Sequence, residues 1–221
     1  MAPLIKHLGL VEYQQTWQAM KQFTGARNAD TQDEIWLLHH FPIYTQGLAG
    51  KPEHLLHASD IPVVKIDRGG QITYHGPGQI VAYLMLDLRH WKLNVRGLVR
   101  LMEQAVIDLL APFGVIAQGR EEAPGVYVDG AKIAALGLKI RNGYCYHGLA
   151  LNVDMDLAPF ANINPCGFAG LRVIQAIDLG ICASRSELEL QLAQNLIKLL
   201  QQHKLEKSTQ SCIFAEASSC G

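Results

Sequence analysis

The clearest period in the chain is helical: Leu98, Leu101, Met102, Ala105, Leu109 and Leu110 recur at three- and four-residue steps. With Asn94 placed to cap it and Gly114 at the C′ position, this spacing predicts a helix over residues 94–113. A second helix is expected over 184–202, opening on a Ser184-x-x-Glu187 capping box. Val11, Trp17, Met20 and Phe23 approximate a third. Short apolar or alternating runs over 34–40, 62–66 and 80–88 read as strands. Three more fall over 125–128, 132–140 and 144–153, joined by Asp129-Gly130 and Asn142-Gly143, both hairpin signals. No repeat or linker divides the 221 residues, so the expectation is one domain of α+β or mixed α/β class. The polar, Ser-rich stretch 204–221 has no period and reads as a flexible tail without a catalytic role.

Composition narrows the classes. A net charge of −1 argues against general nucleic-acid binding. Between residues 65 and 100, however, six basic residues (Lys65, Arg68, Arg89, Lys92, Arg96, Arg100) face two acidic ones (Asp67, Asp87), either a docking patch for an acidic partner or a solvated face. The five cysteines, at 145, 166, 182, 212 and 220, are odd in number and show no Cys-x-x-Cys, which fits a reducing cytoplasm and neither a disulfide framework nor a zinc ribbon. The start lacks the pattern of a signal peptide, and no apolar run approaches the ~20 residues needed to cross a bilayer. A soluble protein is expected.

Chemistry concentrates in Arg68-Gly69-Gly70-Gln71-Ile72-Thr73-Tyr74-His75-Gly76-Pro77-Gly78-Gln79. Glycines admit positive φ and close approach of backbone to a ligand, while Arg and His supply fixed and switchable donors, so the run suits a polar binding loop as well as a hairpin turn. Cys166 sits between Pro165 and Gly167, on a short rigid arm that would suit a nucleophile, although a free cysteine is also ordinary packing. Lys132 interrupts an apolar strand, where it faces either a site or water. His39, His40, His54 and His57 lack acidic or cysteine partners at ligand spacing and read as surface or packing residues, not as a metal site.

The pattern Arg-Gly-Gly-x-x-Thr-Tyr-His-x-x-Gly-Gln-x-x-x-Tyr, here residues 68–83, resembles the signature of the octanoyltransferases of lipoate biosynthesis. Gly130-Ala131-Lys132-Ile133-Ala134-Ala135-Leu136-Gly137, His147-Gly148-Leu149-Ala150-Leu151-Asn152-Val153 and Asn164-Pro165-Cys166-Gly167 extend the likeness over roughly residues 25–180, with no departure at functional positions. The resemblance implies a mixed sheet flanked by helices plus a smaller sheet, as in biotin and lipoate protein ligase catalytic domains. It implies Cys166 as the acyl-thioester nucleophile, Lys132 as its partner and base, and substrate contacts from residues 68–75, Ala135 to Gly137 and Gly148 to Ala150. The implied partners are octanoyl-acyl carrier protein, lipoyl domains of 2-oxoacid dehydrogenase complexes and the glycine cleavage H protein. No cofactor, nucleic acid or membrane is implied. Backbone N–H groups near Gly148-Leu149-Ala150 or the Cys166 turn are candidate oxyanion donors. His75 is expected in the pocket wall as a hydrogen bonder, and His147 is a weaker candidate. Gly69-Gly70 and Gly76-Pro77-Gly78 are candidates for admitting an acyl chain, with Leu136 and Leu149 as lining. An ATP-dependent ligase and a non-catalytic carrier-binding module are the competing readings.

Overall fold

The computed structural model describes residues 1–218. The elements are β1 (Leu4–Val11), α1 (Tyr13–Ala26), β2 (Glu34–His40), β3 (Ile43–Gln46), β4 (Val63–Lys65), β5 (Ile72–His75), β6 (Gln79–Met85), α2 (Val95–Leu110), β7 (Gln118–Gly119), β8 (Gly125–Val128), β9 (Ala131–Arg141), β10 (Tyr144–Asn152) and α3 (Arg185–Ser218). One seven-stranded sheet has the order β1-β2-β6-β10-β9-β8-β7, and a three-stranded sheet has the order β4-β3-β5. In the large sheet β1 and β2 run parallel and the remaining pairs antiparallel. This is the expected α+β class with two sheets.

Both faces of the large sheet are covered, which explains why β2 and β6 read as continuous apolar runs. Ile35, Leu37, Ile80, Ala82 and Leu84 point into the principal core with α2 and α3. Their neighbours Trp36, Leu38, Val81, Tyr83 and Met85 point to the other face, against Met20 of α1. Alternation along each strand thus builds two cores from one sheet. Tyr44, Ile72 and Tyr74 of the small sheet form a third with Met155 and Ile163.

Several expectations are corrected. Val11 belongs to β1, and the buried stripe of α1 is Tyr13, Thr16, Met20 and Thr24. The glycine-rich run is not all loop, because its Ile72–His75 segment is a strand of the small sheet paired with β3. The last helix runs on to Ser218, past the expected end at residue 202, and His203 still reaches the Lys92 carbonyl at 3.2 Å. In contrast, α2 matches its expectation: Asn94 Oδ1 accepts from Gly97 N at 2.7 Å, and Gly114 is left-handed after a closing 3-10 turn.

Candidate active site

Cys166 is the middle residue of a 3-10 turn, Pro165–Gly167, and is itself left-handed at φ 57°, ψ 15°. That conformation costs a non-glycine residue on the order of 1–3 kcal/mol and persists only where the surroundings impose it. Here they do: Gly167 N bonds Asn164 O at 2.9 Å, and Asn164 N bonds His54 O at 2.9 Å. Lys132 enters from β9. Its backbone is fixed to the 172–174 segment by Lys132 N to Arg172 O (2.8 Å) and Ile174 N to Lys132 O (3.0 Å). The side chain is buried and does not face solvent: its Nζ donates to Cys166 Sγ at 2.7 Å and to Pro124 O at 3.2 Å, and lies 5.2 Å from the Tyr127 ring centre. The two residues singled out from sequence are therefore in direct contact across 34 positions of chain.

Beside Cys166 opens a cleft with a mainly apolar lining. Its roof is the glycine-rich run and its floor the large sheet. Arg68, Gly70, Gln71, Ile72, Thr73, His75, Ala135, Leu136, Gly137, Gly148, Leu149 and Ala150 all line it. Gly69 and Tyr74 do not contribute. Gly69 N is spent on Leu138 O at 2.9 Å, and the Tyr74 ring turns into the small core against Phe160. Leu136 and Leu149 line the cleft as expected while also packing in or against the principal core, and strand alternation sets Ala135, Gly137 and Ala150 beside them. The Gly76-Pro77-Gly78 turn also lies elsewhere: a Cβ on Gly78 would fall 1.8 Å from Asp154 O, so its glycine admits a neighbouring backbone, not an acyl chain. Gly148, Leu149 and Ala150 pair on both sides, with β6 and β9, which commits their amides to the ladder and removes them as oxyanion donors.

Tyr13, Val81, Tyr83 and His147 complete the lining. Tyr83 ends the pattern that carries the family resemblance but its apolar run reports only a strand, and Tyr13 gives no signal, being one tyrosine at the start of a helix.

The polar groups around the cleft are held by dedicated partners. Arg68 is buried, and its guanidinium donates to Thr45 O (2.6 Å), Thr45 Oγ1 (3.0 Å) and Gly69 O (2.8 Å), none a carboxylate. His75 bonds Gln79 Oε1 through Nδ1 (2.8 Å) and Thr45 Oγ1 through Nε2 (3.3 Å). Gln79 Nε2 continues to Asn152 Oδ1 (3.0 Å), and Asn152 Nδ2 to Ile174 O (3.0 Å), so the chain of bonds ends on the segment paired with Lys132. Burial pushes His75 down to about 3, leaving it neutral and unsuited to act as the base. His40, whose Nδ1–H donates to Val11 O and whose Nε2 accepts from Tyr83 Oη, is pushed down by burial to about 4. Burial also lowers His147, against the opposing pull of Asp67. Asp67 itself is raised by burial but pulled further down by hydrogen bonds from His147, Tyr146 and Trp17.

A stability consequence follows with definite sign. The unfolded chain protonates His40 and His75 near 6.5, the folded one only near 4 and 3, so the unfolded state binds more protons between those limits and stability falls as pH drops. Each histidine should contribute up to about 2 kcal/mol to the loss between pH 7 and pH 5. Urea midpoints at the two pH values measure it, and equal midpoints would contradict neutral burial.

The excess of positive charge between residues 65 and 100 does not form one free patch. Arg68 is internal, Arg89 pairs with Asp87 at 2.9 Å, and Arg96 and Arg100 share Glu121, an acid outside the counted window. Of the other cysteines, Cys145 is buried and Cys182 exposed, while Cys220 lies outside the described residues. Among the described residues no group of His, Cys, Asp and Glu could hold a metal, and no helix is long and apolar enough to cross a membrane.

Against known proteins, the lipoyl protein ligase A/B catalytic domain matches residues 12–180. The chain is 65% identical over 196 residues to an octanoyltransferase of Nitrosomonas europaea, covering 89% of this chain and 96% of that one. It is 61% identical over 202 residues to an octanoyltransferase of Dechloromonas aromatica, covering 91% and 98% respectively. Among solved structures, lipoate-protein ligase A bound with ATP superposes with a TM-score of 0.74 at 16% identity, covering 91% of this chain and 86% of that one. Biotin protein ligase from Aquifex aeolicus gives 0.57 at 12%, covering 91% and 72%. At such identities these structures speak for the fold alone.

Proposed function

Since the chain belongs to the lipoyl protein ligase A/B catalytic-domain family, among octanoyltransferases 58–65% identical to it, we propose that it moves an octanoyl group from acyl carrier protein to a lysine of lipoyl domains through an acyl-thioester on Cys166. The observation that carries this reading is the 2.7 Å contact of Lys132 Nζ with Cys166 Sγ at the edge of the cleft.

In the first half-reaction the thiolate of Cys166, paired with the Lys132 ammonium, attacks the carbonyl carbon of the carrier thioester. The C–S bond to the carrier's phosphopantetheine breaks, and the departing thiolate takes a proton from Lys132, which leaves the amine neutral for the second half. One thioester replaces another at nearly equal energy, so no nucleotide is consumed. In the second half, the ε-amine of a lipoyl-domain lysine attacks the acyl-enzyme and gives a proton to Lys132, while Cys166 leaves as thiolate. The product amide is more stable than the thioester, which draws the sequence forward. Arg68, a buried cation without a carboxylate partner, favours negative charge beside the cleft in both halves.

The decisive comparison is of donors. Octanoyl carrier protein without nucleotide should octanoylate a lipoyl domain, whereas free octanoate with ATP should not. The reverse pattern would identify a ligase, and binding of the carrier without transfer a docking module.

Chain length should be read by the small floor formed by Ala135, Gly137, Gly148 and Ala150 and by the rings of Tyr13 and Tyr83. At ~0.8 kcal/mol per buried methylene, shortening by two carbons should cost roughly 1.6 kcal/mol, about fifteenfold in specificity. Lengthening meets packed walls and should cost more. Acyl-enzyme formation with hexanoyl, octanoyl, decanoyl and palmitoyl carriers measures the profile, and a flat one would sink the length-matched cleft.

A further inference from the structure

Glu103 is a buried acid on α2, outside the cleft and outside every motif of the sequence. Its Oε1 accepts from Gly125 N at 3.0 Å, where the loop between β7 and β8 enters β8. Space has been made for it: a Cβ on Gly119 would lie 2.6 Å from Glu103 Oε2. The same peptide whose N–H goes to Glu103 offers its carbonyl, Pro124 O, to Lys132 Nζ at 3.2 Å. A trans peptide directs N–H and C=O to opposite sides, so one rigid plane joins the carboxylate to the ammonium. Gly125 leaves no slack in this stack, since a Cβ there would fall 2.4 Å from Lys132 Cε. Burial raises the Glu103 carboxyl, opposed by the Gly125 N–H and by the Arg100 and Lys132 cations.

We propose that Glu103 is a positioning residue for Lys132, fixing through the Pro124–Gly125 peptide the carbonyl that holds the ammonium at Cys166 Sγ. The inference rests on the Cys166–Lys132 reading above, and its test separates the two. The readout is the rate at which iodoacetamide alkylates Cys166, resolved by peptide mass from Cys145 and Cys182, alongside single-turnover octanoyl transfer and thermal midpoints. Glu103→Leu should slow alkylation about fivefold or more, the equivalent of at least one lost hydrogen bond. Glu103→Gln, whose amide oxygen still accepts from Gly125 N, should recover most of the rate. In a Lys132→Ala background Glu103→Leu should add nothing, because a residue acting only through Lys132 has no further effect once Lys132 is gone. Should Glu103→Leu fail to fold, Gly125→Ala, which drives a methyl into Lys132, should reproduce the slow alkylation. A folded Glu103→Leu protein that alkylates as fast as the parent, an additive double variant, or a fast Gly125→Ala protein overturns the positioning role while leaving the pairing intact. An unchanged rate in Lys132→Ala alone overturns both.

Discussion

Replacing Cys166 with alanine should abolish octanoyl transfer, by roughly 10⁴-fold or more, because the only sulfur lining the cleft among the described residues is then gone and no covalent intermediate can form. The left-handed backbone at 166 is strained for cysteine and alanine alike, so the substitution should leave folding nearly unchanged, which a thermal midpoint checks. Cys145 and Cys182 serve as controls. Cys145 is buried, donates to Leu84 O at 3.2 Å, and is pushed by burial up to about 12, which keeps it an inert thiol. Cys182 is exposed, with Sγ 3.6 Å from Gly180 O, and does not line the cleft. Alanine at either position should retain transfer, and so should changes at Cys212 and Cys220. Full transfer by Cys166→Ala would refute the mechanism.

Lys132→Ala should slow both acylation and transfer, by roughly 10²–10³-fold in the maximal rate, since it removes the cation beside the sulfur and the acceptor for the amine proton. Lys132→Arg should not restore activity. Guanidinium keeps the charge but does not accept a proton, and its bulk meets the same wall at Gly125 that already contacts Lys132 Cε. Single-turnover kinetics with octanoyl carrier, run separately for acylation and for attack by the lipoyl-domain lysine, measure each half. A Lys132→Arg protein with the parent's rates would show that charge alone suffices and remove the base.

The elements legible in the sequence were those with a strong local signal. The period of α2 and its Asn94 and Gly114 ends survived intact, as did β8 and the β9–β10 hairpin marked by Asn142-Gly143. The missed strands had none. β1 is an edge strand with mostly exposed residues, β3 has four residues and β7 two, and each exists only because a partner strand lies beside it. The end of α3 was misplaced because polar residues after 202 carry no apolar period, whereas His203 and Lys204 find partners on the 90–92 segment. At the site, glycines among Arg, Thr and His announced a binding loop, but not that its Ile72–His75 segment is strand. The choice left open for Lys132, solvent or site, is decided by the β8–β9 irregularity and by Gly125, which clear space for the side chain against Cys166. Tyr13 and Glu103 act through tertiary neighbours alone, and nothing local to them reports it.

The most direct measurement is the intact mass of the protein after mixing with octanoyl carrier protein and no nucleotide, followed by peptide mapping and treatment with hydroxylamine. The account requires one added octanoyl group, located on Cys166, released by hydroxylamine as a thioester is, and absent from Cys166→Ala. An adduct on another residue, or product formed on the lipoyl domain with Cys166 never acylated, would contradict it.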